Sequence, residues 1–266
     1  MTKIGILACK MLQDEIIYLI QTDPAVHDVV VIENGEHAEF VQKLNKLDIP
    51  YQSAASIDAV SDIDSADDSN EPLTLIVWNL QLGLHEYPKI LKEEVYKFAE
   101  IFAKKVNGIY LLYGLCGNVL GKIEEDFKSI CPLVILRDGD GEIVDDCIGA
   151  TIGGRRNYLN LLKSFKGVGT FIFTPMYSAT IEEFFEYSRR RKTYTEEQII
   201  EMNKYMFQAA NYKRVANLET GLHFNENTEE KLQKFADRYD FEIIQLSGGS
   251  QEIFWNCYEK LKSMIL

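Results

Sequence analysis

The sequence predicts an α/β protein, a mainly parallel sheet flanked by helices in Rossmann-like alternation. Continuous apolar runs such as Leu73 to Leu80 and Ile109 to Tyr113 suit strands buried on both faces. Segments with apolar residues at helical spacing lie between such runs, and turn residues stand where the two kinds of segment meet. An aromatic-rich helical insertion follows the alternating part.

Taken in order, Lys3 to Ala8 reads as a buried strand ending at Cys9-Lys10, and Met11 to Gln21 as a helix with Leu12, Ile16, Leu19 and Ile20 inward. Asp28 to Glu33 is a second short strand, and Glu36 to Leu47 is its helix. Ser53 to Glu71 is rich in Ser, Ala and Asp without an apolar period, which predicts a flexible, solvated acidic loop. Leu73 to Leu80 is a strand, Gln81 to Pro88 a loop carrying His85, and Lys89 to Lys105 a helix stopped by Asn107-Gly108. Ile109 to Tyr113 is a buried strand that breaks into Gly114-Leu115-Cys116-Gly117-Asn118.

Lys122 to Phe127 predicts a short helix, Pro132 to Leu136 a strand, and Arg137 to Glu142 a turn. Asp145-Asp146-Cys147 opens a helix running to about Lys163, with an aspartate as its cap and Gly153-Gly154 as a costly interruption. Gly169 to Thr174 is a strand. Thr180 to Tyr212 is a long, aromatic, lid-like helical segment broken near Lys192-Thr193 and restarted by the capping-box spacing Thr195-Glu196-Glu197-Gln198. Arg214 to Leu218 and Phe241 to Leu246 predict strands, and Thr228 to Tyr239 and Ser250 to Met264 predict helices. No repeat or linker divides residues 1–266, so the expectation is a single domain.

A net charge of −13 excludes nonspecific binding to nucleic acid or an anionic membrane as the main activity. No apolar run reaches the ~18 residues of a membrane span, and Met1 to Leu7 lacks the features of a signal peptide, so a cytoplasmic location is expected. Five cysteines without an export signal read as thiols or ligands rather than a disulfide framework.

Cys9, His85, Cys116 and Cys147 each fall at a strand end or a helix start. In a parallel sheet such positions converge at the carboxyl edge, and soft thiolate and imidazole donors suit zinc or iron, with a cobalt cofactor also reasonable. Cys147 in a helical first turn expects a lowered pKa, which makes Cys147, with Cys116 as its partner, the alternative nucleophile of a metal-free thiol enzyme. Asp146 is either a ligand or the cap. Arg137, Arg155 and Arg156 stand beside the cysteine segments and suit a small anionic ligand, although ion pairing is the ordinary fate of any one of them. Arg189-Arg190-Arg191 reads as a solvated face, Gly248-Gly249-Ser250 as a turn, and His27, His37 and His223 receive no role.

Leu84-His85-Glu86-Tyr87-Pro88, Tyr113-Gly114-Leu115-Cys116-Gly117-Asn118, Asp146-Cys147-Ile148-Gly149 and Glu219-Thr220-Gly221-Leu222 occur in this order. Together they resemble a domain-of-unknown-function family of methanogens and strict anaerobes, often encoded near corrinoid-dependent methyltransferases. The resemblance implies a role in one-carbon or methyl metabolism, with a thiolate, a methyl donor or a corrinoid-related ligand at His85, Cys116, Cys147 and Cys9. It also implies a corrinoid protein or methyltransferase as partner, which leaves open a noncatalytic accessory role. This sequence departs from the family's Pro-Arg pair before the Asp-Cys motif, because Asp138 to Asp145 separates Leu136-Arg137 from it.

Overall fold

The computed structural model describes residues 2–60, 72–178, 180–181 and 194–266. The chain opens with β1 (Lys3–Cys9), α1 (Gln13–Thr22), β2 (Val26–Ile32), α2 (Ala38–Lys46) and β3 (Gln52–Ala54). It continues through β4 (Leu73–Leu80), α3 (Pro88–Phe102), β5 (Gly108–Leu112), α4 (Ile123–Phe127) and β6 (Leu133–Ile135). These six strands form one parallel sheet in the order β3-β2-β4-β1-β5-β6. Then come α5 (Cys147–Thr151), α6 (Arg155–Ser164), β7 (Gly169–Phe173), α7 (Glu196–Ala209), β8 (Tyr212–Glu219), α8 (Thr228–Tyr239), β9 (Glu242–Ser247) and α9 (Glu252–Ile265). Strands β7, β8 and β9 make a second parallel sheet.

The continuous apolar runs are explained by burial on both sides. In β1, Ile4, Ile6 and Ala8 face a core completed by Leu12 just before α1, Ile16 of α1, Phe40 of α2, and Phe254 and Tyr258 of α9. Leu7 and Cys9 face the opposite core, with Leu91, Val95 and Phe102 of α3 and Phe127 of α4. Period-2 alternation thus distributes apolar side chains to two cores instead of to a core and solvent. A third core, built on Phe173, Val215, Phe235 and Tyr239, belongs to the three-stranded sheet. Helix α9 returns from that sheet to the first one, where Tyr110 donates to the Phe254 carbonyl at 2.7 Å and Tyr258 donates to Asp23 Oδ2 at 2.8 Å.

One expectation is corrected. The segment from 53 onward begins with residues of β3 and a short 3-10 turn whose Ile57 and Val60 are buried, so its first part is sheet edge and core. Residues 61–71 lie outside the described residues. Of the readings open for Gly153-Gly154, the structure shows the break: the helical segment running to about Lys163 is two helices, because both glycines take left-handed backbone, with φ of 93° and 99°. Within the lid-like segment, Thr195 and Gln198 form the expected reciprocal cap on α7, and Arg189-Arg190-Arg191 lies outside the described residues. No helix among the described residues is long and apolar enough to cross a membrane.

Candidate functional site

Strand β1 leads through α1 toward β2 on one side of it, whereas β5 leads through α4 to β6 on the other. The crevice between the carboxyl ends of β1 and β5 is therefore a topological switch point, where open parallel sheets bind ligands. Cys9 ends β1, and Tyr113-Gly114-Leu115-Cys116 follows β5.

The segment before α5 is drawn into the same crevice by main-chain pairing. Leu115 N donates to Val144 O at 2.8 Å and Cys116 N donates to Asp145 O at 2.9 Å. Gly114 makes this possible, since a Cβ there would stand 2.5 Å from Val144 O and 2.9 Å from Asp146 N. Two residues beyond that contact, Asp146 caps α5 by accepting from Gly149 N at 2.7 Å, and Cys147 begins the helix. Cys116 itself takes left-handed backbone (φ 42°), as do Gly117 and Asn118 after it. For a residue with a Cβ that conformation costs roughly 1–2 kcal/mol, a strain that proteins concentrate at functional positions.

The result is a cavity of about 630 Å³ lined by Cys9, Cys116 and Cys147, with Tyr113, Tyr177 and Asp146 among its other walls. His85 and Glu86 also line it and are exposed. Burial pushes the Cys9 thiol up to about 11 and the Cys116 thiol up to about 12. Burial likewise holds Cys147 well above the ordinary cysteine range, with Cys9, Asp146, Cys116 and Glu15 adding negative charge around it. The lowered Cys147 pKa expected from a helix start is thus corrected: α5 has only five residues, and desolvation beside other acids outweighs its dipole. Tyr113 is 3% exposed, and burial holds its hydroxyl well above the ordinary tyrosine range, with Cys9, Cys116 and Cys147 beside it and a side-chain hydrogen bond to Cys9 raising it further.

The structure brings Cys9, Cys116, Cys147, His85 and Asp146 to one cavity and leaves the arginines out of it. Arg137 is held by Glu124, with Nε donating to Oε2 at 3.0 Å, and by Gly141 O at 2.7 Å. Arg156 and Arg137 line a separate cavity of about 260 Å³, and Arg155 makes an exposed 3.7 Å pair with Asp145. Cys131 and Cys257 are core residues, the latter accepting from Arg137 N at 3.2 Å. Among the described residues no three His, Cys, Asp or Glu side chains stand in an arrangement ready to hold a metal ion. The donor chemistry of the cavity nevertheless fits a soft cation, since three thiols reach it from three separate segments.

Sequence reasoning missed Tyr113 and Tyr177 as cavity residues, and it missed Glu15 beneath Cys147. Tyr113 had a signal: it continues the strand by one residue into the Gly114 turn. Glu15 had none, because an acid in a helical first turn ordinarily reads as a favourable dipole contact.

No curated protein and no solved structure matches the chain. A family model described as "Protein of unknown function (DUF1638)" matches residues 79–255, about two thirds of the sequence, a span that holds His85, Cys116 and Cys147 but not Cys9. With its thiol cavity at the switch point of a six-stranded parallel sheet, the chain belongs to the DUF1638 family.

Proposed function

We propose that this cavity binds a soft transition metal ion, zinc or iron, through the thiolates of Cys9, Cys116 and Cys147, and presents it to a small ligand. The observation that carries the reading is the arrival of three thiols, from the end of β1, the turn after β5 and the start of α5, in one cavity. Thiols held protonated by burial are poor nucleophiles, and a cation that displaces their protons reverses the desolvation cost. That is why the metal reading is preferred to Cys147 as a free nucleophile. A bound ion would supply Lewis acidity and would lower the pKa of a thiol or water ligand.

The residues of the chain have separable duties. Gly114 keeps the Cys116 and Cys147 segments in register. Asp146 fixes the start of α5, and the Tyr113 hydroxyl stands against the Cys9 thiol in the cavity wall. His85 stands on the exposed side of the cavity, open to solvent or to a partner. A volume of about 630 Å³ matches a drug-sized or smaller ligand and not a complete corrinoid with its nucleotide tail. The motif resemblance then supports a role in anaerobic one-carbon metabolism, in which the ligand is a thiolate or methyl donor and a corrinoid protein or methyltransferase is the partner.

The test is metal analysis of anaerobically purified protein. About one equivalent is expected, with proton release on loading and loss of the ion in a Cys9→Ser/Cys116→Ser/Cys147→Ser variant. Less than about 0.2 equivalents, unchanged in that variant, would sink the proposal.

A further inference from the structure

A third and much smaller cavity lies where the carboxyl ends of the two sheets come together. It measures about 10 Å³, enough for one water-sized occupant. Asp14 and Glu15 of α1 line it from the first sheet's side, Thr174 after β7 and Thr220 after β8 from the second, and Thr151 of α5 adds a further wall.

The two carboxylates in this wall differ. Asp14 is engaged at both oxygens, since Lys43 Nζ donates to Oδ1 at 2.8 Å and Asn225 Nδ2 donates to Oδ2 at 2.5 Å. Glu15 is 4% exposed, and among the described residues no other residue gives its Oε2 a hydrogen bond; the donor beside its carboxyl is its own backbone N–H. Buried ionisable groups are ordinarily paired, so a carboxylate without a partner beside a cavity marks a place for one. The hydroxyls add neutral oxygens. Thr151 Oγ1 donates to the Cys147 carbonyl at 2.9 Å, which leaves its lone pairs available. Thr174 Oγ1 accepts from Tyr177 N at 3.3 Å and Thr220 Oγ1 from Leu222 N at 3.2 Å, so each keeps one lone pair.

Charge and size select the occupant. An anion would meet two carboxylates. A calcium ion takes about six to eight oxygens and carries two charges, whereas Lys43 already answers Asp14 and one carboxylate is left to be matched. A water molecule would leave that carboxylate unmatched, and with no ion present burial and the Asp14 charge hold a proton on Glu15, raising it from 4.5 to about 8.

We infer that this cavity is a site for a single dehydrated monovalent cation of the sodium or potassium kind, held by Glu15 and the threonine hydroxyls, which ties the ends of β7 and β8 to α1. The site is separate from the thiol cavity and uses no thiol, so it stands whether or not that cavity holds a metal.

The experiment is thermal unfolding of the full-length protein at fixed pH and ionic strength in sodium chloride, potassium chloride and choline chloride, choline being too large to enter. An ion that binds the folded state alone should raise the midpoint, in sodium, potassium or both relative to choline, by roughly 3 °C or more at tenfold its dissociation constant. Glu15→Gln, a neutral side chain of the same shape, should remove that difference. Equal midpoints in the three salts overturn the inference and leave the cavity to water, and an undiminished difference in Glu15→Gln overturns it by placing the ion elsewhere. If the variant does not fold, the anomalous signal of rubidium-soaked crystals of the natural sequence decides: a peak beside the Glu15 carboxylate supports the site, and its absence at a rubidium concentration that saturates the thermal shift overturns it.

Discussion

Replacing Gly114 with alanine inserts one methyl group between the two segments that carry Cys116 and Cys147. The new Cβ would lie 2.5 Å from Val144 O, 2.9 Å from the Asp145 carbonyl carbon and 2.9 Å from Asp146 N. All three are main-chain atoms, so no side chain can turn aside. Gly114 is not in the left-handed region, and alanine therefore carries no dihedral penalty of its own there. The two segments must separate, which stretches the bonds from Leu115 N to Val144 O and from Cys116 N to Asp145 O. Two hydrogen bonds at ~1 kcal/mol each and overpacking strain of ~1–3 kcal/mol give a destabilisation of roughly 3–5 kcal/mol. Urea unfolding at equilibrium measures the loss, and zinc titration of the same sample measures whether the two thiols still act together. Gly121→Ala is the control, because its nearest neighbour lies at 3.5 Å and a change within ~0.5 kcal/mol is expected. If Gly114→Ala falls within that same margin and binds zinc with unaltered stoichiometry, the close approach of these segments is not what builds the cavity.

Burial, with the negative charge of Asp14 beside it, raises the Glu15 carboxyl from 4.5 to about 8. The folded protein therefore keeps a proton that the unfolded chain gives up: the contribution is fully present below about pH 4.5 and lost as pH rises through about 8, with an amplitude on the order of 4 kcal/mol. Thermal melts from pH 5 to 9 should show that decline, and Glu15→Gln should flatten it; an unchanged slope in the variant refutes the assignment. In the metal-free protein, alkylation of Cys9 and Cys116 should be slow at neutral pH and rise with pH to beyond 10, because burial holds these thiols near 11 and 12. A rate already level at about pH 8.5, the ordinary thiol value, contradicts this. Asp23→Ala removes the carboxylate that lies 2.8 Å from both the Tyr258 hydroxyl and the Lys262 ammonium, leaving the hydroxyl without that acceptor and the ammonium with Glu259. A loss of ~2–4 kcal/mol is expected in denaturant unfolding, together with faster hydrogen exchange in α9, and a loss below ~0.5 kcal/mol would show the contact to be idle.

What the sequence makes legible depends on how local its physical cause is. Strand β4 is bounded as the apolar run Leu73 to Leu80 predicts, and α8 as the amphipathic run Thr228 to Tyr239 predicts, because burial and period are written into consecutive residues. Strand β3 was not legible: three residues on a sheet edge, two of them exposed, carry no apolar signature. Nor was the division into two sheets, since pairing between β7, β8 and β9 is a relation among distant segments with no local mark. At the cavity, the thiols and His85 could be found from their places at strand and helix ends. The position of the arginines could not, because it follows from Glu124 and Asp140 taking them up through tertiary contacts. The state of Cys147 was misjudged for a related reason. A helix start is visible in sequence, whereas what overrides it is burial in the folded cavity, with the charges of Cys9, Cys116 and Glu15 brought near from three other segments.

Helix α9 also sets an order on synthesis. Residues 252–265 cover a face of the sheet whose strands are complete by Ile135, and Tyr110, Ile6 and Leu112 share a core with Phe254 and Leu261. At ~5–20 residues per second, translation leaves on the order of 10 s between the emergence of β5 and that of α9. During that interval the nascent sheet has one apolar face without its lid, a surface suited to chaperone capture or to pairing with another unfinished chain. The residues that complete the core on this face are thus among those made last, after the second sheet has been translated.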